Sequence, residues 1–211
     1  GAGKTEIARA LFGADQFSGS IHFKGQEVGR SPKQAIAAGI ALVPEERRTQ
    51  GLFTNLTIRE NIPVMNLPRM SDKGVFRAAD ELAAAHEYVD KLSIATDSIE
   101  KHTEKLSGGN QQKVVLAKCL FSDADLLLLD EPTRGVDVGA KTEIYDIIKN
   151  LADEGNSVAV FSSELEEVLG ICDRIFLLFT GTLEDEISNS PDVDIAHILN
   201  VVTGGREGAA P

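Results

Sequence analysis

The chain opens on Gly1-Ala2-Gly3-Lys4-Thr5, which matches the last five positions of the phosphate-binding pattern G-x-x-x-x-G-K-[ST]. Glycines let the backbone bend so that successive N–H groups face an anion. Lys4 sets one positive charge against terminal phosphates, and Thr5 offers a hydroxyl to Mg2+. A following helix with Ile7, Ala8, Leu11 and Phe12 on one side adds roughly half a positive charge at its N-terminus. The apolar run Leu126–Leu129 ends in two adjacent carboxylates, Asp130 and Glu131. A buried strand delivers its terminal carboxylate to a fixed point at the C-terminal edge of an open α/β sheet, where ligands sit. Asp130 would hold Mg2+ through water there, and Glu131 would orient and polarise the water that attacks a γ-phosphate. Leu106-Ser107-Gly108-Gly109-Asn110-Gln111-Gln112 places two glycines at a helix start, either as an exposed anion-binding N-terminus or as a plainly capped helix. Each motif alone also has a structural reading: a glycine-rich terminus with a surface lysine, a strand with a solvated polar end, a capped helix.

Positioning these residues requires alternating elements. Ile21 and Phe23 followed by Lys24-Gly25-Gln26 read as a strand and turn. Ser31-Pro32-Lys33-Gln34 starts a helix that ends near Gly39, and Ile40–Val43 is a short strand stopped by Pro44. A second region begins at Thr57–Asn61. In it Val75, Phe76, Ala79, Leu82, Ala83, His86 and Val89 recur at helical spacing, and a further helix covers about Gly109 to Phe121. Alternation then resumes with strand 126–129, helix 141–151, strand 158–161, a short helix 164–169 and strand 175–179. An edge strand at 183–187, a last helix at 194–201 and a loose tail from Gly204 to Pro211 follow. Ile144, Ile147, Ile148 and Leu151 form a buried stripe. The pattern predicts a mainly parallel sheet covered on its faces, with residues 55–121 as a helical insertion.

The 211 residues carry 21 Lys and Arg against 33 Asp and Glu, a net charge of −12. Residues 1–50 carry +2, residues 51–122 are neutral and residues 123–211 carry −14. Such acidity argues against electrostatically driven nucleic-acid binding, which needs clustered Lys and Arg. It leaves room for nucleotides held by backbone N–H groups and one lysine. The two cysteines, Cys119 and Cys172, are too few for a disulfide framework and suggest a reducing setting with buried thiols. No run reaches the roughly 18 apolar residues of a membrane span.

Together, in this order and spacing, the three motifs resemble the nucleotide-binding subunit of ATP-binding cassette (ABC) transporters, over about residues 1–188. Leu106–Gln112 resembles the signature motif, with Asn110 in place of the usual Gln, and Asp137 in Gly135-Val136-Asp137 matches the D-loop. Val43-Pro44-Glu45-Glu46-Arg47, Leu106–Lys113, Asp130–Gly139 and Ser162-Ser163-Glu164-Leu165 are more narrowly similar to the second cassette of bacterial monosaccharide importers. Nucleoside and autoinducer importers have similar cassettes.

The resemblance implies an α/β P-loop NTPase of RecA-like type with a mainly parallel sheet and a helical signature subdomain. The core would comprise 1–54 and 122–188, the subdomain 55–121, and a C-terminal helix and tail 189–211. A strand before Gly1 would be missing, so the 211 residues alone are expected to be unstable and to bind ATP poorly. ATP and Mg2+ are the implied cofactors. Gly1, Ala2, Gly3, Lys4, Thr5, Glu6, Glu45, Ser107, Gly108, Gly109, Asp137 and Ser163 would contact nucleotide. Thr5, Asp130 and Glu45 would face the metal, and Glu131 would be the catalytic base. Each of two sandwiched sites would take its signature residues from the opposite cassette, which is expected upstream on the same polypeptide. Permease subunits, an external solute-binding protein acting indirectly, and a peripheral position on the cytoplasmic face of the inner membrane complete the implication.

Two departures stand out. Glu45 occupies the family's Q-loop Gln position, and Ser163 occupies the position of the switch His. Glu45 adds charge beside a triphosphate, while Ser163 can bond a γ-phosphate but brings no positive charge. Loss of one transition-state donor typically costs about 10²–10³ in rate, so slow hydrolysis is expected, or a regulatory cassette that binds with little turnover.

Overall fold

The structure, a computed structural model, describes residues 2–72 and 75–205. Gly1 and the 206–211 part of the expected tail lie outside the described residues. In chain order the first elements are α1 (Lys4–Leu11), β1 (His22–Phe23), β2 (Gln26–Glu27), α2 (Pro32–Ala37) and β3 (Ile40–Val43). A π-helical turn spans Arg47–Gly51, followed by α3 (Ile58–Asn61), a 3-10 run Ile62–Met70, β4 (Ser71–Asp72) and β5 (Val75–Phe76). Next come α4 (Ala78–Lys91), α5 (Gly108–Phe121), β6 (Leu126–Asp130), α6 (Val138–Asp153), β7 (Ser157–Phe161), α7 (Leu165–Ile171), β8 (Arg174–Phe179), β9 (Thr182–Ser188) and α8 (Ile195–Thr203).

Strands β3, β6 and β7 form a parallel sheet in that order, with Val43 opposite Leu129 and Asp130 opposite Phe161. The period of 2 sorts their side chains onto two buried faces. Ala41, Val43, Leu127, Leu129, Val158 and Val160 point into the larger cluster with α5 and α6. Ile40, Leu42, Leu128, Ala159 and Phe161 meet Leu11, Val28 and Ala35 on the other face. Strands covered on both faces need near-continuous apolar sequence, and Leu126–Leu129 supplies it. Strands β8 and β9 pair antiparallel with each other, and their own small core holds α8 through Ile175, Leu177 and Ile198.

Helix α3 begins with a reciprocal capping box between Thr57 and Glu60. Helix α5 is buried nearly all round, including Lys113 and Lys118. Lys113 Nζ donates to the Ser93 carbonyl (2.8 Å) and pairs with Glu143 (2.7 Å). Lys118 donates to the carbonyl of Gly51. The lysine stems thus stay in the core while each ammonium keeps an oxygen partner.

The helical segment differs from the sequence expectation in one stretch. Val75 and Phe76 are not helical: they pair with Ser71 and Asp72 in a short hairpin and are exposed. Helix α4 buries Glu81, Ala84, Ala85 and Tyr88, while Leu82 is exposed. Small alanines let α4 pack against the 62–70 run, Glu81 is buried because Arg59 pairs with it, and Tyr88 meets the Phe121 ring edge-on at 5.9 Å. The glycines after α8 are structured: Gly204 takes φ +71 and closes the helix, and a side chain there would run into the Phe179 ring. Both cysteines are free and Cys119 is fully buried, which pushes its thiol up to about 11. Among the described residues no helix is long and apolar enough to cross a membrane.

Candidate functional site

Gly3 sits at the start of α1 with φ +97, a left-handed conformation, and gives the helix no side-chain cap. Only glycine takes this φ without strain. The first N–H groups of α1 therefore stay open toward the loop. The loop rests on the β8–β9 turn, where the Gly181 N–H donates to the Ala2 carbonyl (3.1 Å). Glu6 is exposed on the first turn.

Strand β6 carries Asp130 to the sheet's C-terminal edge, 1% exposed. The Thr5 hydroxyl donates to Asp130 Oδ1 (3.2 Å), and Lys4 Nζ lies 3.7 Å from Glu131 Oε1. Residues 125 positions apart thus meet at one sheet edge. Burial raises the Asp130 pKa, the Thr5 hydrogen bond pulls it back, and the neighbouring Glu131 raises it again. Glu131 is held at φ +47, a strained conformation for a non-glycine residue and one that clusters at functional sites. Its N–H is tied to the Phe161 carbonyl at 2.8 Å, so the end of β7 fixes the turn.

Among the described residues no group of three or more His, Cys, Asp or Glu side chains forms a metal cage. Mg2+ at phosphate sites uses one or two carboxylates together with phosphates and water. The Thr5–Asp130 pair, with a buried carboxylate beside a hydroxyl, fits that donor set.

The other expected residues fall into two groups. Ser107 caps α5, accepting from the Asn110 N–H (3.4 Å) and side-chain amide (2.9 Å). Asn110 in turn accepts from the Ala95 N–H at 2.7 Å. Gly109 is required by packing, since a Cβ there would lie 2.5 Å from that of Ala140. Asp137 caps α6 through the Ala140 N–H (3.0 Å), and Val138 beside it is the most exposed large apolar residue. No hydrogen bond or ion pair among the described residues joins Ser107, Gly108, Gly109 or Asp137 to Lys4 or Thr5. Ser163 is exposed in the loop between β7 and α7. Glu45 is not drawn to Thr5 or Asp130; its carboxylate pairs with Arg134.

Three residues escaped sequence reasoning. Arg47 donates to the carbonyls of Arg134 (2.6 Å) and Gly135 (2.9 Å). Arg134 carries the Glu45 pair. Glu167 on α7 is 1% exposed and accepts from the Thr133 hydroxyl at 2.9 Å, while its Oε2 has no partner. Arg47 and Arg134 lie inside the quoted stretches Val43–Arg47 and Asp130–Gly139, but nothing local to either stretch signals that the two join.

Residues 1–134 match the sequence profile of the ABC transporter family. The chain belongs to this family. It is 44% identical over 208 residues to the ribose import ATP-binding protein of Bacillus licheniformis, covering 98% of this chain and 42% of that protein. It is 45% identical to the L-arabinose transport ATP-binding protein of Geobacillus stearothermophilus (89% and 37% covered). It is 42% identical to the xylose import ATP-binding protein of Thermoanaerobacter pseudethanolicus (98% and 41% covered). The chain thus spans about two fifths of the length of these relatives. Among solved structures, a nucleotide-free cassette of an ABC transporter superposes with a TM-score of 0.76 at 18% identity, covering 96% of this chain and 80% of that one. A dimeric bacterial ABC transporter cassette gives 0.76 at 21% identity (90% and 82% covered). These likenesses establish the P-loop cassette fold.

Proposed function

We propose that this chain binds and hydrolyses ATP, at sites shared with a second cassette, to energise import of a monosaccharide through a membrane permease. The carrying observation is the convergence of Lys4 and Thr5 with Asp130 and Glu131 at one sheet edge. That set divides the labour: open N–H groups of α1 and Lys4 hold phosphate, Thr5 and Asp130 hold the cation, and Glu131 receives a proton from the attacking water. Mg2+, when bound, would neutralise phosphate charge.

The sugar assignment rests on the ribose, arabinose and xylose relatives. The reading includes Ser163 as a further nucleotide contact, residues 55–121 as the permease-facing helical subdomain, and a peripheral place on the cytoplasmic face of the inner membrane; Glu45, whose carboxylate is taken up by Arg134, is not among the contacts. An external solute-binding protein would deliver the sugar. Single-turnover ATP hydrolysis by the assembled transporter tests it. Glu131→Gln is expected to slow turnover by about 10²–10⁴-fold, the usual worth of a positioned base, while MgATP still binds. Turnover that ignores this substitution removes Glu131 from the chemistry.

A further inference from the structure

The sheet edge that would face a triphosphate is crowded with carboxylates. Register places Val43 beside Leu129, so Glu45 lies just past the end of β3 at the same C-terminal edge, and its partner Arg134 sits one turn from Glu131, donating its N–H to the Glu131 carbonyl (3.0 Å). Asp130, Glu46, Glu164 and Glu167 border the same edge. Lys4 is already engaged with Glu131. An additional anion at Glu45 would repel the ligand, because like charges a few ångströms apart at a protein surface cost several kcal/mol at an effective dielectric near 20.

The structure answers that charge with Arg134, whose guanidinium pairs with Glu45 and lies 3.7 Å from Glu46. Arg134 is half-exposed, and an isolated exposed pair contributes little. This pair is not isolated. Arg47 holds the backbone of Arg134 and Gly135 through two hydrogen bonds, so each segment grips the other: 134 holds 45 by its side chain, and 47 holds 134 by its carbonyl. The same guanidinium lies against α5, since a Cβ at Gly108 would come within 2.8 Å of Arg47 Nη2 and 2.9 Å of the Gly135 carbonyl. Arg48 extends the contact by donating to Gln111 (3.1 Å).

We propose that Arg134 is a positioning residue for the nucleotide site, a counter-ion fixed by Arg47 that neutralises Glu45 so that an acidic loop can stand beside a triphosphate. The inference rests on the ATP reading above. It makes Arg134 necessary only because residue 45 is Glu.

The test is a titration of MgATP against a fluorescent adenine nucleotide on the intact protein. Unmodified protein is compared with Arg134→Gln, Arg134→Lys, Glu45→Gln and the Glu45→Gln/Arg134→Gln pair, at low and high salt. Arg134→Gln should weaken MgATP binding about tenfold, and Glu45→Gln in that background should restore it to within about twofold. Arg134→Lys, which keeps the charge, should bind normally. The defect should shrink in about 0.5 M salt, where screening acts within a few ångströms, whereas a folding defect would not. Glu45→Gln alone should bind MgATP at least as tightly as the unmodified protein, which holds even if Arg134→Gln fails to fold. Unchanged binding in Arg134→Gln, a salt-insensitive defect, no recovery in the folded double variant, or weakened binding in Glu45→Gln alone overturns the proposal and leaves the ATP reading intact. Failure of unmodified protein to bind MgATP sinks the ATP reading itself, and this inference with it.

Discussion

Helices α1 and α5 both have glycine at their starts, Gly3 as the residue before α1 and Gly108–Gly109 as the first residues of α5, yet their N-termini are finished in opposite ways. Gly3 leaves α1 without a side-chain cap, and Lys4 and Thr5 on its first turn reach Glu131 and Asp130 across the sheet edge. Ser107 caps α5, binds Asn110 twice, and takes no part in that cluster. The open helix end is poised for a ligand within its own chain. The capped one is fixed by Asn110 and by the close packing at Gly108 and Gly109, and among the described residues it makes no hydrogen bond or ion pair to Lys4 or Thr5. Under the proposed function these are two halves of a split site, one holding phosphate and one presented to the opposite cassette.

The largest effect expected from breaking this contrast is at Lys4. Lys4→Ala removes the only side-chain cation bonded to Glu131 among the described residues, along with a donor to transferring phosphate. A loss of about 10²–10³-fold in kcat/KM for ATP is expected, measured by steady-state hydrolysis in the assembled transporter. A loss under tenfold would mean the backbone N–H groups carry the phosphate alone. Ser107→Ala acts on the other helix. Its expected cost is about 1 kcal/mol of stability from the lost cap, seen as a lower midpoint in urea with an unchanged slope. If Ser107 served only as a cap, hydrolysis by the folded variant would be normal; the split-site reading expects it to fall as well.

The two halves also differ in how far the sequence disclosed them. Lys4, Thr5, Asp130 and Glu131 were readable because each motif needs those residue types at fixed local spacing, and because four leucines before a carboxylate specify a strand buried on both faces. The clasp between Arg47 and Arg134 was not, since its partners lie 87 positions apart and meet only through the β3–β6 register. Helix α4 was misread for a different reason. Its buried face is two alanines, a tyrosine and Glu81, a residue whose burial depends on Arg59, so hydrophobicity pointed to the exposed Leu82 side. Glu45 and Ser163 were recognised as departures from the family pattern, but the Arg134 that answers Glu45 is visible only in three dimensions.

The smallest effect expected concerns Glu167, which ties the turn after Glu131 to the helix after Ser163 through Thr133. Burial raises its pKa above the ordinary 4.5. Below the unfolded-chain value both states hold the proton and no penalty arises. As pH rises past it, the unfolded chain releases its proton first and the fold loses stability, until the folded group also ionises. Glu167→Gln keeps an acceptor for Thr133 and cannot ionise. Its melting temperature should match the unmodified protein's near pH 4 and exceed it near pH 8. Thermal melts of both proteins across that range read the difference. A variant that matches near pH 4 but is less stable near pH 8 would show that the carboxylate is held charged, by a partner stronger than the Thr133 hydroxyl.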